Sequence, residues 1–175
     1  MLKKLLIVLG VLAALTLLMA ALGFGLPREH RAASAVVLRT PPERVWEVVR
    51  DPGALQGSWS ELRSARRLPD REGKEIWEQN AGGFDMRLIV EEAMPPARLV
   101  TRVDAPVDAP FGGTWTYELT PEGTGTRLQV TEDGWVGNPL FRVMMRAMGV
   151  HRTLDGYLAA LASKLGEDVG PVHVP

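Results

Sequence analysis

The pattern of hydrophobic positions changes character at Pro27. Before it, Leu5 to Leu26 reads LLIVLGVLAALTLLMAALGFGL, a run without a charge in which Thr16 is the only polar side chain. At about 1.5 Å per residue a helix of this run reaches about 33 Å, enough for a hydrocarbon core of about 30 Å. A helix of a soluble protein needs one apolar face, not all of them. The run therefore predicts a single-pass membrane anchor over residues 1–27. A cleaved secretory signal is the alternative. Its apolar core is usually about 7–15 residues, shorter than this one, but Ala21 and Gly23 are small residues at a cleavage spacing. Lys3 and Lys4 on one side nearly balance Arg28, Arg31 and Arg39 on the other under the positive-inside rule. The signal-like layout points to an inner amino terminus and an extracytoplasmic domain.

After Pro27 the pattern shortens into strands and turns. Arg31 to Leu38 predicts a first strand. Thr40-Pro41-Pro42-Glu43 predicts a helix start with Thr40 as cap, and Val45, Trp46, Val48 and Val49 give the helix its apolar side before Asp51-Pro52 stops it. A second short helix is expected over Pro52 to Gly57. Strands are expected over Trp59 to Leu68, Lys74 to Asn80, Phe84 to Glu92, Arg98 to Asp104, Thr114 to Thr120 and Thr126 to Val136, with turns at Pro69 to Gly73, Met94-Pro95-Pro96 and Pro121 to Gly125. Met86, Leu88 and Val90 alternate with Asp85, Arg87 and Glu91, and Trp115, Tyr117 and Leu119 share one face. Hairpin spacing makes the sheet antiparallel.

The last expected element is one long helix capped by Asn138 with Pro139 in its first turn. Leu140, Met144, Ala147, His151, Leu154, Leu158, Ala162 and Leu165 form its apolar stripe, and Arg142, Arg146, Arg152 and Lys164 fall off it. Gly149 and Gly156 are places where it would bend. The prolines and glycines after Gly166 predict a flexible tail over 167–175, leaving one domain at 28–166.

Composition narrows the functions. Setting Lys3 and Lys4 aside leaves 18 basic against 21 acidic residues, a net of −3, which argues against nucleic acid as a partner. The basic cluster Arg63, Arg66, Arg67, Arg71 and Lys74 is diluted by Glu61, Asp70, Glu72 and Glu75, so it reads as a solvated hairpin. There is no cysteine, hence no disulfide, thiolate metal site or cysteine nucleophile. No glycine loop for phosphate, no redox-cofactor fingerprint and no serine elbow is present, and no cofactor is expected.

The order of strand, short helices, about six antiparallel strands and a long terminal helix resembles the α+β helix-grip fold of the START and Bet v 1 (SRPBCC) superfamily, including polyketide cyclase/dehydrase-like proteins. The stretch PPERVWEVVRDPGAL (Pro41 to Leu55), the aromatic at Trp59, the strand GGTWTY (Gly112 to Tyr117) and its partner GTRLQV (Gly125 to Val130) carry the likeness, which spans about Arg31 to Gly166. It implies a curved sheet gripping the terminal helix around a pocket, in which such proteins commonly bind lipids, sterols, polyketides or other apolar molecules. Some members are cyclases or hydrolases.

Aromatic and methionine side chains concentrate where that pocket is expected: Trp59, Trp77, Phe84, Trp115, Tyr117 and Trp135 from the sheet, and Phe141, Met144 and Met148 from the helix. Core filling is the competing reading for each of them. Proton-handling candidates are His151, with Asp155 one turn on, Tyr117, and Glu132 or Glu78 if their strand registers turn them inward. His30 and His173 lie at the ends of the domain and are expected to form no cluster with His151, so no metal site is expected. The leading reading is a membrane-tethered protein that binds an apolar small molecule or lipid. An enzyme of the cyclase/dehydrase or hydrolase kind is the alternative, and an interaction module with a filled core is the third.

Overall fold

A computed structural model describes residues 1–106 and 108–175. Its elements are α1 (Leu2–Gly25), β1 (Glu29–Leu38), α2 (Pro42–Val49), β2 (Leu62–Arg71), β3 (Lys74–Ala81), β4 (Phe84–Met94), β5 (Arg98–Val103), β6 (Phe111–Glu122), β7 (Gly125–Val136), α3 (Pro139–Met148), α4 (Arg152–Lys164) and β8 (Val172–Val174). The strands form one curved antiparallel sheet in the order β2-β3-β4-β5-β6-β7-β1-β8. The helix-grip expectation holds: consecutive hairpins build the sheet from β2 to β7, and β1 closes onto β7 through ten residue pairs from Glu29–Trp135 to Leu38–Thr126.

The period of two decides what enters the core. Ala32, Val36 and Leu38 of β1, Tyr117 and Leu119 of β6, and Leu128 and Val130 of β7 face Val45, Trp46 and Val49 of α2 and Leu154, Tyr157, Leu158 and Leu161 of α4. Leu128, Val130, Leu154, Leu158 and Leu161 have no exposed surface. Each such side chain contributes about 1.5–3 kcal/mol through burial. Trp59, at the end of the α2–β2 connection, joins the same core.

Several local expectations are corrected. Pro41, not Thr40, occupies the N-cap of α2 and makes no side-chain capping bond. The Thr40 hydroxyl and N–H instead donate to Glu167 Oε1 at 2.6 and 3.0 Å. Residues 52–58 form successive three-residue-spaced turns, such as Ala54 N–H to Asp51 O at 2.9 Å, rather than a second helix. β2 starts at Leu62, not Trp59, and runs through Pro69 to Arg71 on the edge of the sheet, where a proline's missing N–H is tolerated. Pro69 sits at an irregularity in its pairing with β3. The Pro95–Pro96 break contains a cis peptide bond.

The terminal helix is two helices. Gly149, at φ 93° and ψ 129°, ends α3 in a conformation that a Cβ would strain, and His151 becomes the N-cap of α4. The stripe therefore holds only in the second half: Leu154, Leu158 and Ala162 are buried, whereas Met144 and Ala147 are exposed. The segment expected to fray is also ordered into the fold. Val172, His173 and Val174 pair with Ala35, Ser34 and Ala33 of β1, and Glu167 is buried where it also accepts the Arg39 N–H at 2.8 Å.

α1 stands clear of this core with its side chains exposed, except at its last turn. Thr16 satisfies its hydroxyl within the helix by donating to Leu12 O at 2.9 Å. It is one helix long and apolar enough to cross a membrane.

Candidate functional site

A cavity of about 470 Å³ lies between the concave face of the sheet and α2, α3 and α4. That volume is within the usual range for small-molecule sites. Met86 and Leu88 of β4, Leu99 and Thr101 of β5, Trp115 and Tyr117 of β6, and Val48 and Val49 of α2 form its walls. These positions follow from strand register. Thr101 opposes Trp115 and Trp115 opposes Glu132, while Leu99 opposes Tyr117 and Tyr117 opposes Val130, so alternate residues of three adjacent strands share one surface.

Of the nine pocket candidates, Trp59, Phe84, Trp115, Tyr117, Met144 and Met148 line this cavity. Trp59, Trp115, Tyr117 and Tyr157 form one aromatic wall with ring centroids 5.6 to 6.5 Å apart, mostly edge-on or tilted. Met144, Met148 and Phe84 stand at the mouth and remain partly open to solvent. The other three lie outside it. Trp77 turns its indole N–H to Glu75 Oε1 at 2.6 Å, where Glu75 also holds Arg50 at the end of α2 through two bonds of 2.7 Å. Trp135 packs over Gly112, under the Arg28 guanidinium 5.7 Å from its ring. Phe141 is not among the lining residues and meets Phe84 edge-on.

The proton-handling candidates divide in the same way. Tyr117 lines the cavity, and burial pushes its phenol well above the usual range, against the bond from Thr101 that lowers it. Tyr157, which sequence reasoning missed, is likewise raised by burial and by the neighbouring Tyr117. Both phenols keep their protons at neutral pH. Glu132 turns inward and lines the cavity, but Glu78 does not and pairs with Arg66 instead. His151 is outside the cavity, as the N-cap of α4. Its Nδ1 is 3.3 Å from the buried Ser34 hydroxyl, which donates to Asp155 Oδ1 at 2.8 Å. His173 does meet it, contrary to expectation: the two rings stack at 3.9 Å and His173 Nε2 lies 2.9 Å from Asp155 Oδ2. The ordered β8 brings them together. Among the described residues no group of three or more His, Asp or Glu side chains is arranged to hold a metal.

Two polar pairs at the cavity escaped the sequence. Glu61 and Arg152, both lining it, approach to 3.9 Å. His30 Nε2 lies 3.6 Å from Glu132 Oε1, with the imidazole over Gly134. The strand alternation that turned Glu132 inward also places His30 on its face, two residues before Ala32. This was legible only once β1 was known to start at Glu29.

Arg142 is the largest departure. Assigned to the polar side of a helix, it is buried at 6% exposure. Its guanidinium donates to four main-chain carbonyls: Val136 at 2.9 Å, Gly137 at 2.8 Å, Gly23 at 3.1 Å and Leu26 at 3.2 Å. The last two belong to the end of α1, where a cation also meets the negative end of the helix dipole. Gly23 is required there, since a Cβ would come within 2.0 Å of Pro139 O. α1 is thereby fastened to α3.

Comparison with solved structures supports this architecture. A START superfamily protein from Mycobacterium smegmatis superposes with a TM-score of 0.64 at 20% identity, covering 77% of this chain and 96% of that one. A conserved protein from Geobacillus kaustophilus gives 0.63 at 17% identity over 82% of this chain and all of its own. The di-domain ARO/CYC StfQ from the steffimycin biosynthetic pathway gives 0.60 at 9% identity over 77% of this chain and 50% of its own. These likenesses concern the fold. No curated protein matches. The family model described as polyketide cyclase/dehydrase and lipid transport matches residues 29–166, which hold β1 to β7 with α2, α3 and α4, and the chain belongs to that family.

Proposed function

We propose that this protein is a membrane-tethered carrier or receptor for a hydrophobic small molecule or lipid, held in the cavity between the sheet and α3–α4. The observation that carries this reading is the open cavity of about 470 Å³ walled by aliphatic and aromatic side chains. A filled interior, the mark of a pure interaction module, is not what lies there. Burial of an apolar ligand supplies affinity at about 25 cal/mol per Å². The family description, which includes lipid transport, and the apolar α1 support the same reading.

The test is native mass spectrometry of the full chain released from neutral detergent. The wild type is expected to retain an apolar ligand from the cell or from added lipid, saturably. Trp115→Ala or Met148→Glu is expected to lower retention about tenfold, roughly 1.4 kcal/mol, without unfolding. No saturable retention would end the reading. One observation keeps an enzyme of the cyclase/dehydrase or hydrolytic kind as the second reading: Glu132, an inward carboxylate with His30 beside it, could handle a proton on a bound substrate. Turnover of a captured ligand by the wild type but not by Glu132→Gln would favour it. His151→Ala is expected to leave retention unchanged, since His151 does not reach the cavity.

A further inference from the structure

We propose that the cavity selects an apolar ligand whose head donates hydrogen bonds, a hydroxyl or an ammonium, over one that ends in a carboxylate, and that Glu132 is the group that reads the head. The inference rests on the binding reading above and names its ligand class. Four charged residues line the cavity: Asp51, Glu61, Glu132 and Arg152. The single cation among them, Arg152, has its Nε 3.9 Å from Glu61. Asp51 lies exposed at the rim and accepts the Gly53 N–H at 2.8 Å. Glu132 is the acid left to face the interior. Its side chain is 22% exposed, and it stands opposite Trp115 in the aromatic wall.

Among the described residues none makes a hydrogen bond to the Glu132 carboxylate. His30 Nε2 stands beside it, but 3.6 Å is too long for a full bond. His30 cannot move away to solvent either, because its side chain is 93% buried (7% exposed), and its Nδ1 has no partner. The imidazole therefore stands against the carboxylate without satisfying it. A carboxylate in a largely apolar cavity leaves acceptor sites that a ligand N–H or O–H would fill. A ligand carboxylate would place a second negative charge against it, and the one cation among the described lining residues, Arg152, stands beside Glu61 rather than Glu132.

The full chain in neutral detergent at pH near 7 is offered equal concentrations of dodecylamine, dodecyl alcohol and dodecanoate, and retained adducts are counted by native mass spectrometry. The amine, the alcohol or both should exceed the carboxylate about tenfold, and the leader tells whether charge or hydrogen bonding dominates. In Glu132→Gln the preference should fall to within about twofold while the alcohol is still retained, which shows the cavity intact. The wild-type ranking alone is a test should the variant fail to fold. Equal or greater retention of dodecanoate by the wild type, or an unchanged ranking in a folded Glu132→Gln, overturns the selection while leaving the binding reading in place. No adduct with any of the three overturns both.

Discussion

Leu158 and Arg146 sit 12 positions apart and represent opposite environments. Leu158 has no exposed surface, while Arg146 is exposed in the last turn of α3. Leu158→Asp is expected to unfold the domain, because it buries an unpaired charge at a cost of several kcal/mol. Arg146→Asp is expected to shift the melting temperature little, and thermal melts of the two variants check the contrast. Glu167 supplies a pH dependence. Burial would push its carboxyl up, but the Arg39 and Thr40 N–H groups, the Thr40 hydroxyl and the charge of Arg39 hold it below the ordinary carboxylate value. A carboxyl lowered by folding stabilises above its unfolded pKa and loses that contribution as pH falls through the folded value. Glu75, lowered by its bonds from Arg50 and Trp77 against a burial penalty, acts in the same direction. Glu167→Gln is expected to cost about 1–2 kcal/mol at neutral pH and to flatten the loss of stability below the carboxylate range. Denaturant titrations at several pH values would show both.

At the scale of elements, local signals were read well where period and turn chemistry agreed. The alternation in β4 and β6 placed Met86, Leu88, Trp115 and Tyr117 on the inner face, where they line the cavity. The cap at Asn138 is real, with its side chain accepting the Leu140 N–H at 2.9 Å. The misreadings come from contacts made far along the chain. Nothing near Thr40 signals that Glu167 will take its hydroxyl, and nothing near Arg142 signals four carbonyls, two of them more than a hundred residues away. The continuous stripe through His151 suggested one helix because period cannot see a backbone break. From sequence alone Gly149 predicts a bend, but its ψ of 129° makes it a full stop. Gly149→Ala is therefore expected to destabilise the chain by about 1–3 kcal/mol rather than strengthen a helix, as measured by thermal or denaturant unfolding. A single-helix arrangement would give the opposite sign, since Ala exceeds Gly in helix propensity by about 1 kcal/mol.

For the whole molecule, the fold was legible and the site only half so. Antiparallel hairpins and a terminal helix follow from patterns that repeat over many residues. Which aromatic faces a cavity depends on single-residue register and on neighbours such as Glu75, whose bond draws the Trp77 indole aside. The membrane reading makes its own prediction. Expressed whole, the chain should sediment with membranes and resist carbonate extraction, because an apolar α1 of 24 residues does not leave a bilayer cheaply. A shortened product in the soluble fraction would replace the anchor with a signal. The Arg142 clamp has a mechanical consequence if α1 is held in a membrane. Only Leu26 to Arg28 separate α1 from β1, and Arg142 ties the end of α1 to α3, so the junction has no slack to absorb a change of angle. A spanning helix tilts to match the thickness of its bilayer. If α1 spans a bilayer, a change in that tilt is expected to pass through Arg142 to α3, which carries Met144 and Met148 of the cavity lining.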